Sequence, residues 1–179
     1  NFHFGYSTNA INKKITGDIS LGWQSKQGTV ADLAAHVKKG LPVCHSTFTG
    51  QKRADVNFDF ADICLVDIDN SAILKGDDGK PVKDANGKAI KVYYEELTIP
   101  QMMAHPFIKE HCFYSYTSAS HKTDHHKYRL AFRLPNRITD PKLFKAVLLE
   151  LKALIPAIDR AATSITNIYF GNDNAIDLI

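Results

Sequence analysis

From Ile63 onward the apolar residues fall into the order strand, helix, strand, strand, helix, strand, and that order constrains the fold more than any other feature of the chain. Ile63-Cys64-Leu65-Val66-Asp67-Ile68-Asp69 begins as an apolar run, the mark of a strand buried on both faces, and ends in two carboxylates. Thr98-Ile99-Pro100-Gln101 has capping-box spacing with Pro in the first turn, so a helix is predicted within residues 99–109, interrupted near Pro106. Residues 112–117 read as a strand, and the alternating Tyr128-Arg129-Leu130-Ala131-Phe132-Arg133-Leu134 as its hairpin partner across a polar loop, 118–127. Asp140-Pro141 caps a helix whose Phe144, Val147, Leu148, Leu151 and Ile155 share one stripe up to Pro156. Ile168-Tyr169-Phe170 gives a last strand before Gly171.

The βαββαβ order is that of a ferredoxin-like, RRM-like sheet, so the fold class is α+β. Residues 61–179 form that lobe, and residues 1–60 a small N-terminal α/β lobe packed with it in one compact domain. In the N-terminal part, Thr29 caps a helix over 30–39, with Asp32 in its first turn, Lys38 and Lys39 in its last and Gly40 as its stop. Residues 75–91, rich in Gly, Asp and Lys, read as an inserted exposed hairpin or mobile loop.

With 44% hydrophobic and 23% charged residues, a chain of 179 can bury a substantial core. Its apolar stretches fall far short of the roughly 20 residues of a membrane helix, and the expectation is a cytoplasmic protein with no membrane partner. Cys44, Cys64 and Cys112 are too widely spaced for a zinc knuckle or a disulfide framework and read as small buried apolar residues. A net charge of +3 does not by itself mark a nucleic-acid binder. The first residue is Asn and the last follows a strand-like segment closely, which reads as a fragment of something longer.

Chemistry concentrates at a few places. Asp67 and Asp69, two apart on a strand, project to the same face, and paired hard oxygen ligands suit Mg²⁺ or Mn²⁺; the plainer alternative is an acidic turn. Asp159, after the long helix, either turns the chain before Arg160 or supplies a third carboxylate to a site for two ions. Ser118, Ser120, His121, Lys127 and Arg129 gather hydroxyls, an imidazole and cations around one hairpin, which suits a triphosphate or makes a solvated polar loop. Lys52 and Arg53 either touch template phosphates or form a basic turn. His125-His126 is a poor metal pair, because adjacent residues on extended chain point apart, and Trp23, Phe58 and Tyr169 read as core residues before base-stacking ones.

Three separated pieces resemble one family. Leu65-Val66-Asp67-Ile68-Asp69-Asn70, Tyr116-Thr117-Ser118-Ala119-Ser120-His121 with Tyr128-Arg129-Leu130-Ala131-Phe132, and Ile158-Asp159 with Ile168-Tyr169-Phe170-Gly171 are similar in order and spacing to the archaeo-eukaryotic primase superfamily, in particular bacterial, plasmid and phage primase-polymerases. Cys44-His45, Gly50-Gln51-Lys52-Arg53 and Asn57-Phe58 look like its replication-protein branch. The resemblance implies a template-dependent nucleotidyltransferase, a DNA primase-polymerase that makes or extends primers on single-stranded DNA from NTP or dNTP and releases pyrophosphate. It further implies that Asp67, Asp69 and Asp159 hold two Mg²⁺ or Mn²⁺ ions, that His121 holds the nucleotide's phosphates, and that a helicase or accessory domain acts with this one. Two rivals stand beside it: a rolling-circle replication-initiator endonuclease, which needs two histidines on one strand face, and a non-catalytic RRM-like nucleic-acid-binding module.

Overall fold

The structure is a computed structural model and describes residues 1–94 and 96–179. In chain order, β1 (Phe2–Tyr6), β2 (Ala10–Ile11), β3 (Lys14–Ile15) and β4 (Gln24–Gly28) precede α1 (Val30–Lys38). Then come β5 (Val43–Cys44), β6 (Ser46–Phe48), the long β7 (Phe58–Ile68) and a hairpin of β8 (Ser71–Ile73) and β9 (Lys91–Tyr93). The chain continues through α2 (Ile99–Ala104), α3 (Pro106–His111), β10 (Cys112–Thr117), β11 (Tyr128–Ile138) and α4 (Pro141–Leu154). It is a mixed α/β fold with antiparallel sheets and, among the described residues, four α-helices. None of these is long and apolar enough to cross a membrane.

The central sheet has the order β10-β11-β7-β6, and a second sheet runs β4-β1-β5. Successive side chains of β7 alternate between two neighbours. Cys64, Val66 and Ile68 pack against the helices, with Met102 of α2, Ile108 of α3 and Phe144, Leu148 and Leu151 of α4. Ile63 and Leu65 pack the other way, against Phe2 and Phe4 of β1 and Leu33 and Val37 of α1. Two covered faces are what the apolar run requires, and each fully buried Leu or Val there contributes about 1.5–3 kcal/mol.

Local signals set the helices. Thr29 and Asp32 form a reciprocal capping box at α1, and Gly40 ends that segment with φ of 74°. Thr98 and Gln101 form a second box at α2, and Pro106 starts α3 as a separate helix. Asp140 caps α4, accepting from the Lys142 N–H at 2.8 Å. All three cysteines are buried and free. Trp23 and Tyr169 are buried in the core, and Phe58 stacks on Phe144 with centroids 5.7 Å apart.

The last predicted strand is not there. Of Ile168-Tyr169-Phe170, only Tyr169 bridges, and its partner is Val43 of β5, not β7. The edge of β7 that such a strand would need is paired to β6 at its start, through Ser46 with Ala61 and Phe48 with Phe58, and further along, at Leu65, it is met by the side chains of His45 and Tyr169. The opposite edge strand, β10, is covered instead by the chain's end, where Leu178 donates to the Ser115 carbonyl at 2.8 Å and Thr117 to that of Ile176 at 3.0 Å. The residue-60 lobe boundary falls just inside β7, and β6, from the N-terminal side of that boundary, belongs to the central sheet.

His45 ties these parts together and gives the fold a pH signature. Its ring is fully buried, with Nε2 3.1 Å from the Ser164 carbonyl and Nδ1 against the backbone of Leu65. Burial pushes its pKa down to about 4, against backbone hydrogen bonds that favour the proton. The unfolded chain takes up a proton near pH 6.5 while the folded chain stays neutral, so stability is lost as pH falls from about 6.5 to about 4, by up to roughly 3 kcal/mol. Denaturant midpoints measured between about pH 7 and pH 4.5 should show this decline, and His45→Gln should flatten it; a wild-type profile already flat across that window would contradict it.

Candidate active site

β7 carries its two acidic residues out of the core at its C-terminal end. Asn70 makes this possible: it takes a left-handed conformation, φ 45°, and its buried amide donates to the carbonyls of Leu97 at 3.0 Å and His126 at 2.7 Å. The chain therefore turns directly after Asp69, leaving Asp67 and Asp69 on the face that Leu65 shares.

Each carboxylate meets a buried cation. Arg129 lies across the strand pair from Asp67 and donates from Nε to its Oδ1 at 3.1 Å. The guanidinium is almost wholly buried, sits 5.6 Å and 5.7 Å from the ring centroids of Tyr116 and Tyr169, and donates from Nη1 to the Phe170 carbonyl. Burial works against its charge, but Asp67 and Tyr116 together outweigh burial and its pKa is raised. Asp69 accepts from Lys127, from Ser71 and, at 2.9 Å, from Lys91. Partial burial pushes the Asp69 carboxyl up, yet the Lys127, Ser71 and Lys91 contacts prevail and hold it at about 2.

Asp159 arrives from the other end of the domain. Past α4, Ile158 bridges Ile68, and the Asp159 N–H donates to the Asp67 carbonyl at 2.8 Å. Facing residues of an antiparallel bridge project to the same side, so the register sets Asp159 beside Asp67 on the acidic face. Its carboxylate accepts from the Ala161 N–H at 2.9 Å, capping a 3-10 turn at Arg160–Thr163. Asp69, Ser71, Lys152, Asp159 and Arg160 line a polar cleft of about 210 Å³ between them.

Three carboxylates on one face are a hard oxygen donor set, and in chemistry and side they fit Mg²⁺ or Mn²⁺. Among the described residues no three His, Cys, Asp or Glu side chains are already drawn to one point. Arg129 balances Asp67, and Lys127 and Lys91 balance Asp69, so ions entering here would take over charge that these side chains now neutralise.

The loop between β10 and β11 folds back on itself. Ser118 donates its N–H to the Lys127 carbonyl and His121 its N–H to that of Ser118, both at 3.0 Å. The Ser118 hydroxyl is turned inward, accepting from the Ser120 N–H at 3.4 Å. His121 Nδ1 accepts from the Lys127 N–H at 3.2 Å, so the proton of the neutral ring sits on Nε2 as a free donor. Burial, then His126 and His125, lower its pKa and keep it neutral.

The adjacent histidines point apart. His125 is buried against Tyr93 and donates from Nε2 toward the carbonyls of Asp69 and Asn70, at 3.0 Å and 3.1 Å. His126 accepts at Nδ1 from the Ile99 N–H at 3.0 Å. Arg53 is committed to the Thr166 carbonyl at 2.8 Å and to the Trp23 ring, whereas Lys52 is exposed on its turn. Among the described residues neither is joined by a hydrogen bond or ion pair to the acidic face.

Two cations at the site were not among the sequence candidates. Lys91 comes from the segment read as an insertion, and only the β8–β9 pairing, Ser71 with Tyr93, returns it to Asp69. Lys13 sits at the tip of the β2–β3 hairpin and donates to Ser120 Oγ at 2.9 Å. Asn12 after an Ala-Ile pair marks that turn in the sequence, but nothing local says where the hairpin docks.

No protein-family model matches the chain, and no curated protein matches it. Among solved structures, it is similar to the AEP domain of the primase-polymerase of cyanophage S-2L, with a TM-score of 0.43 and 7% identity over 94% of this chain and 71% of that one.

Proposed function

We propose that this chain is the catalytic domain of a primase-polymerase of the archaeo-eukaryotic primase type, transferring nucleotides from NTP or dNTP onto a strand copied from single-stranded DNA. The observation that carries the reading is the row of Asp67, Asp69 and Asp159 on one sheet face, opposite Arg129, Lys127 and the free Nε2 donor of His121. A triphosphate needs donors around its oxygens, and a reacting hydroxyl needs negative groups that hold cations near it. The order β10-β11-β7, that of the first three strands of a ferredoxin-like frame, supports reading the sheet as RRM-like.

In this reading Asp67, Asp69 and Asp159 hold two Mg²⁺ or Mn²⁺ ions, which when bound supply Lewis-acid stabilisation of the attacking and leaving oxygens. Arg129 pairs with Asp67 and aims it, and Lys127 does the same for Asp69. His121 donates from Nε2 to a phosphate oxygen, with Ser120 beside it. Lys52, exposed on its turn, is a template-phosphate contact, while Arg53 is held by the protein. The endonuclease alternative is disfavoured because the His125 and His126 rings serve backbone groups on different segments. A bare RRM-like binding face is disfavoured because both faces of β7 are covered.

The test is incubation with a single-stranded DNA template, labelled nucleotides and Mg²⁺ or Mn²⁺, with products resolved by size. Short new strands, or extension of a supplied primer, abolished by EDTA, are expected. Folded protein that binds single-stranded DNA equally with and without chelator and incorporates nothing would overturn the reading.

A further inference from the structure

We infer that Lys13, at the tip of the β2–β3 hairpin, is a phosphate-binding residue that closes over the nucleotide's polyphosphate from the N-terminal side of the site. The inference rests on the nucleotidyl-transfer reading and adds a residue to it from a different part of the fold.

The turn itself is the first sign. Asn12 and Lys13 both take left-handed conformations, φ 49° and 66°. Asn accepts that conformation readily, whereas Lys pays a penalty on the order of 1 kcal/mol for it. Nothing in the hairpin's own packing needs a lysine there, since β2 and β3 are two residues each and Lys13, an exposed residue, belongs to neither apolar core.

The hairpin is also held in place from behind. The Asn12 N–H donates to the Gly40 carbonyl at 2.9 Å, Asn12 Nδ2 donates to Asp173 Oδ2 at 2.8 Å, and the Asp173 N–H returns to Asn12 Oδ1 at 3.1 Å. A fixed turn aims its ammonium at one place: Ser120 Oγ, the residue before His121 and in the loop whose Lys127 contacts Asp69. Among the described residues Lys13 forms no ion pair with a carboxylate. Partial burial of the ammonium, then the nearby charge of Arg129, lower its pKa, and Asp67 and Asp69 only partly offset this. A lysine directed by a strained, anchored turn toward other cations is stabilised when an anion with several negative oxygens enters between them.

The experiment is equilibrium binding, in Mg²⁺, of dATP, inorganic tripolyphosphate, deoxyadenosine and a thymidine oligonucleotide to wild type, Lys13→Asn and Lys13→Arg. Asn suits a left-handed turn, so Lys13→Asn removes the charge without breaking the hairpin, and an unchanged melting temperature checks this. Lys13→Asn is expected to weaken dATP and tripolyphosphate about tenfold or more, with Lys13→Arg retaining most of the affinity and oligonucleotide binding unchanged in both. Equal dATP affinity in wild type and Lys13→Asn overturns the role of Lys13 while leaving nucleotidyl transfer intact. A wild type that binds no triphosphate overturns both.

Discussion

Asp159→Asn should lower template-directed nucleotide incorporation by about a thousandfold or more while moving the melting temperature by no more than about 2 °C. The substitution separates charge from structure. Asn caps a turn as well as Asp does, so the hydrogen bond from Ala161 survives, and the N–H that meets the Asp67 carbonyl belongs to the backbone. What disappears is one of three negative oxygen donors, and several kcal/mol of transition-state stabilisation with it. Asp67→Asn should remove activity as well but should not leave the fold alone. It strips the nearly buried Arg129 of its counter-charge, and because Asp67 is itself about a third exposed the stability cost is roughly 2 kcal/mol, below that of a fully buried pair. Steady-state incorporation and denaturant unfolding, run side by side on both variants, read these two effects separately. An Asp159→Asn protein of normal stability and near-normal incorporation would remove that carboxylate from the chemistry.

The largest expected stability effect is at a glycine outside the acidic row. A Cβ on Gly171 would lie 2.5 Å from the Gly40 carbonyl carbon, 2.5 Å from the Leu41 oxygen and 2.6 Å from the Leu41 nitrogen, all backbone atoms that cannot rotate away. Gly171→Ala must therefore push residues 170–172 off the end of α1, straining the Asn172 N–H to Val37 carbonyl bond of 2.9 Å. About 3 kcal/mol of stability should be lost, a melting temperature lower by roughly 6–12 °C in a domain of this size. The damage should reach the site, because the Phe170 carbonyl beside Gly171 is what Arg129 Nη1 grips. Incorporation measured well below the new melting temperature should fall too. A variant that unfolds within about 0.5 kcal/mol of wild type would show that this crossing of chains is looser than its distances imply.

How far the sequence could be read depended on whether a feature was local. Capping at Thr29, Thr98 and Asp140 lies within three residues of each helix start, and all three helices formed where it pointed. The two-residue spacing of Asp67 and Asp69 fixed their common side before any pairing was known, whereas Asp159 comes beside Asp67 only because Ile158 meets Ile68. β7 began five residues earlier than the apolar run, because Phe58-Asp59-Phe60-Ala61-Asp62 alternates as a half-exposed strand does. Partner choice was not local. Ile168-Tyr169-Phe170 has strand character, but β6 holds the start of the β7 edge and the His45 and Tyr169 side chains meet it at Leu65, and no residue between 160 and 171 records that. Lys13 is separated from Ser120 by over a hundred residues, and only the docked hairpin joins them. His125 read as half of a loop pair, yet it is buried under Asp69 and Asn70, where it fixes the turn that exposes the acidic row.

The alternation along β7 divides labour between odd and even positions. Residues 64, 66 and 68 answer only to the helical layer, while 63, 65 and 67 answer to the N-terminal sheet and the acidic row. A substitution that reshapes the helical side, a larger residue in α4 matched by a smaller one at 66, leaves the opposite side chains without a new neighbour to accommodate. Such a strand lets one half of a protein drift through sequence space while the other keeps its acidic row in register. A sheet built this way can keep its acidic row long after the helices packed on its other face have changed beyond recognition.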